Sequence, residues 1–394
     1  MAITIATLKE ADGENRVALS PDVVARLTKK DFEVLIEKGS GVAAFFPDQA
    51  YIDAGAKIVD RDTAIKDAKI VAVVNRPDEA VLTKLTSGQL IIGLLSALVQ
   101  PDKIQLLAEN KVTALSLELL PRTVSRAQSM DALSSQASVA GYKAALVGAD
   151  NFKRYLPMMI TAAGTAKPAK VLVLGTGVAG LQAIGTSKRL GAIVSGYDVR
   201  PDSRGEVESL GANFLTSSVS AAGEGGYARQ LSAEEQQQQQ DELTEFIRQS
   251  DIIITTAQVP GRKPPLLVTE TAVNAVKPGT IFVDLAASAL GGNVFGSEPS
   301  QTIITEGNAQ IIGAQDMPSQ LATAASEMYA KNIQAIITDI VHEDGITIDP
   351  DDDVLGELTA TFEGEIISNR LRQTLELPAR PKPAAEEAAE NKEA

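Results

Sequence analysis

Apolar residues along the chain gather in short β-rich runs separated by stretches with helical spacing. In the first third, the runs are Ile3–Leu8, Phe32–Glu37, Ala56–Val59, Ile70–Val74, Leu90–Leu95 and Val112–Glu118. Ser20-Pro21-Asp22 supplies an N-cap and a first-turn proline for a helix predicted over Pro21–Lys30. Strands alternating with helices predict a parallel α/β sheet. None of the turns in this region carries a glycine fingerprint.

From Asp131 to Asp150 the chain is rich in small residues and reads as one long helix, a hinge to a second domain. Strands follow at Lys170–Leu174, Ala192–Asp198, Asn213–Leu215, Asp251–Thr256, Thr280–Ala286 and Gln310–Gly313, with helices at Val178–Leu190 and Asp202–Leu210. A second long helix, Ser319–Val341, returns the chain to the first domain, where Ile346–Ile348 and Leu358–Phe362 are short strands. The expected organisation is a discontinuous first domain, 1–130 with 325–377, around an inserted domain, 131–324. The proline-, alanine- and glutamate-rich 378–394 is left unstructured.

The run Ala169–Leu174 breaks into Gly175, Gly177 and Gly180, between a strand and a helix. In that setting Gly175 permits the tight turn, Gly177 lets the backbone approach a pyrophosphate, and Gly180 lets helix pack on strand. The helix beginning at Val178 offers free N–H groups and a partial positive charge to phosphates. Asp198 ends the next strand 18 residues past Gly180, where a carboxylate takes both adenosine ribose hydroxyls. It would repel a 2′-phosphate, which favours NAD(H) over NADP(H). Arg200 as a 2′-phosphate ligand is the competing reading. The fold class is therefore α/β: two Rossmann-like parallel-sheet domains joined by long hinge helices, the second carrying the dinucleotide site.

Composition narrows the chemistry. A net charge of −15 argues against nucleic acid and anionic membrane surfaces. The longest apolar run, Leu90–Val99, has ten residues, short of the ~18 that span a bilayer, so no direct membrane insertion is expected. The N-terminus reads as a first strand, not a signal peptide, and the chain as cytoplasmic. With no cysteine and a single histidine, His342, placed near a helix end, thiolate, Ser-His-Asp and histidine-metal chemistry lack support. Asp349, Asp351, Asp352 and Asp353 lack the spacing of a calcium loop and read as an acidic turn, so no metal site is expected. Thr216–Gln240 is long for a connection, holds glycines at 223, 225 and 226, and is expected to be a mobile lid. Its five glutamines, Gln236–Gln240, read as a solvated helix face.

The stretch Pro121-Arg122-Thr-Val-Ser-Arg126-Ala-Gln128-Ser-Met-Asp131-Ala-Leu-Ser134 closely resembles a loop in the NAD(H)-binding domain I of proton-translocating nicotinamide nucleotide transhydrogenases. The resemblance extends through Glu14-Asn-Arg16, Ala162-Ala-Gly164, Gly225-Gly-Tyr227, Thr255-Thr-Ala, Pro260-Gly261, Val283-Asp284 and Gly291-Gly-Asn293. It is that of a separate alpha-1 type subunit without the membrane part. It implies hydride transfer from NADH on this chain to NADP⁺ on a partner domain III, coupled to proton movement through membrane domain II. It also implies a homodimer, peripheral on the cytoplasmic side of the inner membrane. Gln128, Asp131 and Ser134 match the residues beside the nicotinamide, and Arg122 or Arg126 the arginine, because one residue is inserted before Gln128. Tyr227 matches the lid tyrosine and Gln239 a cofactor-contacting glutamine. Ser129, Met130, Val178, Val199, Arg200, Gly226 and Gln258 complete the expected cofactor contacts.

Hydride transfer needs the two reacting carbons brought to ~3–3.5 Å and aligned, with no proton moving at either. Positioning amides and guanidinium groups suit that work, and the lack of a catalytic histidine agrees with it. The alternative is an alanine dehydrogenase-like amino-acid dehydrogenase, which shares Arg16. That family's lysine, histidine and aspartate positions hold Asn75, Ser96 and Ser288 here, so Arg16 is expected to be a structural ion-pair residue. A non-catalytic NAD(H) sensor would have the glycine turn without the Arg122–Ser134 loop.

Overall fold

The computed structural model describes residues 3–200, 202–219, 232–258 and 263–380, and its chain divides into two units, 1–136 with 321–394, and 137–320. In the first unit, an eight-stranded sheet runs in the order Glu365–Ile366, Thr359–Phe362, Thr113–Ser116, Leu90–Leu94, Ile70–Asn75, Thr4–Thr7, Glu33–Glu37, Lys57–Val59. Its six N-terminal strands are parallel, and the last two in sequence join antiparallel. Numbered by sequence, the parallel strands lie 3-2-1-4-5-6, the doubly wound order, which reverses direction between Thr4–Thr7 and Ile70–Asn75.

The second unit repeats that order with Asn213–Leu215, Ile193–Tyr197, Lys170–Leu174, Ile252–Thr255, Ile281–Asp284 and Gln310–Gly313, and adds Thr302–Ile304 as an antiparallel edge. Alternation along each strand feeds both faces. Val171, Val173, Ile252 and Ile254 pack with Ala183 and Ile184, while Leu172, Leu174 and Ile253 pack with Leu243 and Ile247. Such two-sided burial is why these strands read as continuous apolar runs. The helix Ala132–Asn151 contributes Ala132 to the first unit's core and Ala144 and Ala145 to the second's. Its small residues have a use: a Cβ on Gly141 would lie 2.0 Å from the Ala179 carbonyl oxygen.

Several expected elements change. The predicted strand Val112–Glu118 stops at Ser116 and becomes a 3₁₀ turn, Leu117–Leu119, because the Glu118 carboxylate turns to accept the N–H groups of Leu95 and Ala97 at 3.2 and 2.9 Å. Ser20 occupies the N-cap position of helix Pro21–Thr28, but its hydroxyl makes no capping bond. The second long helix opens as a 3₁₀ turn at Ser319–Leu321, is α-helical over Ala322–Ile340, and ends where Val341–His342 pairs with Gly345–Ile346. His342 is exposed in that hairpin. The hairpin formed by Met159–Thr161 and Gly164–Ala166 is not anticipated by the sequence pattern.

The C-terminal part of the expected lid, 216–240, is helical. Ser232 and Glu235 form a reciprocal capping box, and Ala233–Arg248 is a helix that carries all five glutamines. Gln236, Gln237 and Gln238 are exposed on it. Tyr227 and Gly226 lie outside the described residues.

Candidate functional site

In the second unit, the glycine turn follows the central strand Lys170–Leu174, at the point where the strand order reverses. Gly175 has φ +92°, a left-handed conformation costly for other residues, and a Cβ there would lie 2.6 Å from Thr256 Oγ1. Gly180 has its Cβ position 1.9 Å from the Gly175 carbonyl oxygen, so only glycine lets the helix pass that close. Gly177 differs: a Cβ built there meets nothing within 4 Å. It is the N-cap of helix Val178–Arg189 and has no side chain with which to cap it. The turn thus leaves open space in front of a helix N-terminus, the cradle a pyrophosphate requires.

Asp198 faces the same turn. Its Oδ2 accepts the Thr176 backbone N–H at 2.8 Å and the Thr176 hydroxyl at 3.1 Å. Arg200 donates its backbone N–H and Nε to Oδ1, at 2.9 and 3.0 Å, and Nη2 to Oδ2 at 3.1 Å. Burial opposes ionisation of Asp198, but the bonds from Arg200 and Thr176 outweigh it and hold the carboxyl below its usual range. Val199 is 68% exposed beside it.

The opposite lip follows strand Ile252–Thr255. Thr256 donates its hydroxyl to the Gly175 carbonyl at 2.9 Å, which fixes the two crevice walls to each other. Asn293, fully buried, holds both backbone groups of Ala257, accepting its N–H at 3.0 Å and donating to its carbonyl at 2.9 Å. Gln258 donates to the Leu285 carbonyl. Gln239 is half-buried on helix Ala233–Arg248. Thr176, Thr256 and Asn293 are not among the site residues expected from sequence. A signal for them exists: Thr256 directly follows a central strand, Thr176 lies inside the glycine turn, and Asn293 ends a Gly-Gly-Asn stretch.

In the first unit, the loop Pro121–Asp131 carries a 3₁₀ helix, Ser125–Met130, and runs into helix Ala132–Asn151. Three expected residues come together there. Arg122 donates Nε to Asp131 Oδ2 at 2.9 Å and Nη2 to Ser134 Oγ at 2.7 Å, while Ser134 donates its hydroxyl to Asp131 Oδ2 at 2.6 Å. Asp131 Oδ1 also accepts the Ser134 backbone N–H at 2.8 Å. Gln128 and Ser129 are exposed on the loop. The Met130 side chain is buried in the apolar core.

Arg126 is engaged elsewhere. Its Nη2 reaches Asp352 and Asp353, at 2.5 and 2.6 Å, and its Nη1 reaches Asp339 at 3.3 Å. Those side-chain bonds raise its pKa further. Asp352 also accepts the N–H groups of Val354 and Leu355, so the acidic turn 349–353 is a loop anchor. Among the described residues no group of three or more acidic, cysteine or histidine side chains is arranged to hold a metal ion.

Arg16 is 6% exposed and paired with Glu14 at 2.6 Å, and it donates Nη1 to Gln136 at 2.9 Å. Its charge is balanced within the unit by Glu14. Asn75 donates to the same Glu14 at 2.8 Å.

Fold and site together define a two-unit α/β protein of the dinucleotide-binding class. Its C-terminal region, residues 144–369, matches the family description "Alanine dehydrogenase/PNT, C-terminal domain", and residues 7–140 match the corresponding N-terminal domain. The chain belongs to the alanine dehydrogenase/PNT family, on its NAD(P) transhydrogenase alpha-subunit side. It is 42% identical over 369 residues to the first portion of the NAD(P) transhydrogenase subunit alpha of Rhodospirillum rubrum, covering 90% of this chain and 95% of that one. A solved transhydrogenase from Sinorhizobium meliloti superposes with a TM-score of 0.80 at 36% identity, covering 93% of this chain and 99% of that one. The alanine dehydrogenase of Bacillus subtilis is 28% identical over 278 residues, 70% of this chain and 68% of that one.

Proposed function

We propose that this chain is the NAD(H)-binding subunit of a proton-translocating transhydrogenase, exchanging hydride between NADH and NADP⁺ held by a partner domain III. When bound, the nicotinamide supplies the hydride chemistry. The protein's task is to hold and orient. Gly177 and the helix N-terminus offer the open, positive cradle for the pyrophosphate, and Asp198 the acceptor for the ribose hydroxyls. Arg122, Asp131 and Ser134 form a preorganised set, and with Gln128 they are the donors and acceptors for a carboxamide. Arg126, committed to three aspartates, leaves Arg122 as the arginine suited to that role.

The observation that carries this reading is the Arg122–Asp131–Ser134 network in a chain that also holds an intact glycine cradle. The lysine, histidine and aspartate that the resemblance gives an amino-acid dehydrogenase are Asn75, Ser96 and Ser288 here, which speaks against amine chemistry. Among the described residues no helix is long and apolar enough to cross a membrane, so attachment at the cytoplasmic face would come through membrane domain II. A homodimer fits the hairpin Met159–Ala166, whose Met159 and Ile160, with Met158 just before, are exposed apolar side chains. The deciding experiment mixes the purified chain with a competent NADP(H)-loaded domain III and follows nucleotide-to-nucleotide hydride transfer. Transfer is expected. No transfer, together with alanine oxidation by NAD⁺ on this chain alone, would replace the reading with the amino-acid dehydrogenase.

A further inference from the structure

Asp198 and Arg200 carry more than a choice of ribose. The carboxylate is fixed: its side chain is 7% exposed and Thr176 holds Oδ2 through two donors. The guanidinium lies on the solvent side, its side chain 62% exposed, and pairs with Asp198. Each carboxylate oxygen carries one guanidinium bond, Nε on Oδ1 and Nη2 on Oδ2. Each also carries backbone-anchored donors that stay in place when the guanidinium leaves, the Arg200 N–H on Oδ1 and the Thr176 N–H on Oδ2.

A ribose 2′,3′-diol presents two O–H donors to one carboxylate. It therefore needs one acceptor position on each oxygen, and these are the positions the guanidinium fills. We infer that Arg200 is a specificity-determining residue that acts through Asp198, standing in for the ribose hydroxyls and tempering the carboxylate's rejection of a 2′-phosphate. This rests on the dinucleotide reading proposed above. With the guanidinium present, a 2′-phosphate meets a neutral pair and a donor able to swing onto it. Without it, the phosphate meets a bare, buried carboxylate whose field is little screened. The diol gains in the same substitution, because its two acceptor positions are no longer contested.

The test uses the full chain and binding alone. Wild type, Arg200→Gln and Arg200→Met, which keeps the stem, are titrated with NADH and with NADPH by nicotinamide fluorescence. The ratio of the NADPH to the NADH dissociation constant is expected to rise on the order of tenfold in both variants, with NADPH weakened and NADH tightened. A ratio that stays at the wild-type value, or equal weakening of both nucleotides, overturns the role given to Arg200 and makes it a packing residue. Failure of wild type to bind either nucleotide is a distinct result that removes the dinucleotide reading itself. If one variant does not fold, judged by its melting curve, the other decides.

Discussion

The Gly180 Cβ position and the Gly175 carbonyl oxygen are 1.9 Å apart, while the Gly177 position, between them in sequence, opens on empty space. The three glycines of one turn therefore fail in different ways when replaced. Gly180→Ala forces the helix off the strand and is expected to destabilise the protein by roughly 1–3 kcal/mol or more, with loss of NADH binding. Gly177→Ala is expected to change stability by less than about 0.5 kcal/mol yet weaken NADH about tenfold. Urea melts and NADH titration of both variants check the contrast. If Gly177→Ala bound NADH as wild type does, the pyrophosphate cradle would be misplaced.

Asp198→Asn keeps an acceptor for Thr176 but removes the charge. NADH is expected to bind about tenfold more weakly, and the discrimination against NADPH to fall. Titration with both nucleotides measures it. Retained discrimination would mean that some other group reads the 2′ position.

Arg126→Ala removes the cation that joins Asp339, Asp352 and Asp353. Since Arg126 is 40% exposed, the stability loss is expected to be modest, about 1 kcal/mol, and smaller at high salt. Hydride transfer is expected to drop more than stability, because the same loop carries Arg122 and Gln128. Arg126→Lys should recover part of both. The measurements are urea midpoints at low and high salt alongside transfer rates.

Glu10 gives a pH dependence with a definite sign. Burial pushes its carboxyl up to about 7, against the N–H groups of Val74 and Asn75 that it accepts at 2.6 and 3.1 Å. Its folded-state value lies above the unfolded one, so the folded form binds more protons between about 4.5 and 7. Stability from this group is full below that window and is lost as pH rises through it. Glu10→Gln, which keeps an acceptor, is expected to flatten that slope by on the order of 2 kcal/mol in urea melts between pH 5 and 8. An unchanged slope would place the titration elsewhere.

Much of the architecture was legible because the signals are local. Lys170–Leu174, Asn213–Leu215 and Gln310–Gly313 begin and end where apolar runs meet glycine or polar residues, and the GxGxxG turn stood in its strand–helix context. Strand order was not legible, since it depends on which apolar face finds which helix. Nor were the partners of Arg126, which lie 213 to 227 positions away, or the turn of Glu118 back to Leu95 and Ala97 that ends a strand early. The hairpin Met159–Ala166 escaped notice because its alternation has no buried face. Among the site residues, Asp131 and Ser134 were visible as a motif, but that Arg122 and not Arg126 joins them follows from three aspartates gathered by the fold.

The shared 3-2-1-4-5-6 order gives both units the same crevice at the same place, yet they treat it oppositely. In the first, the chain supplies its own occupant: Glu10 seats its carboxyl on the backbone N–H groups at the end of Ile70–Asn75, and Glu14 pairs with Arg16. In the second, Asp198 takes the Thr176 N–H, and Gly177 heads the next helix with no side chain of its own. One blueprint has been built twice, once with its guest written into the sequence and once with the place kept for a visitor. On the proposed reading, the phosphates and adenosine ribose of a dinucleotide fall to Gly177, Asp198 and their neighbours.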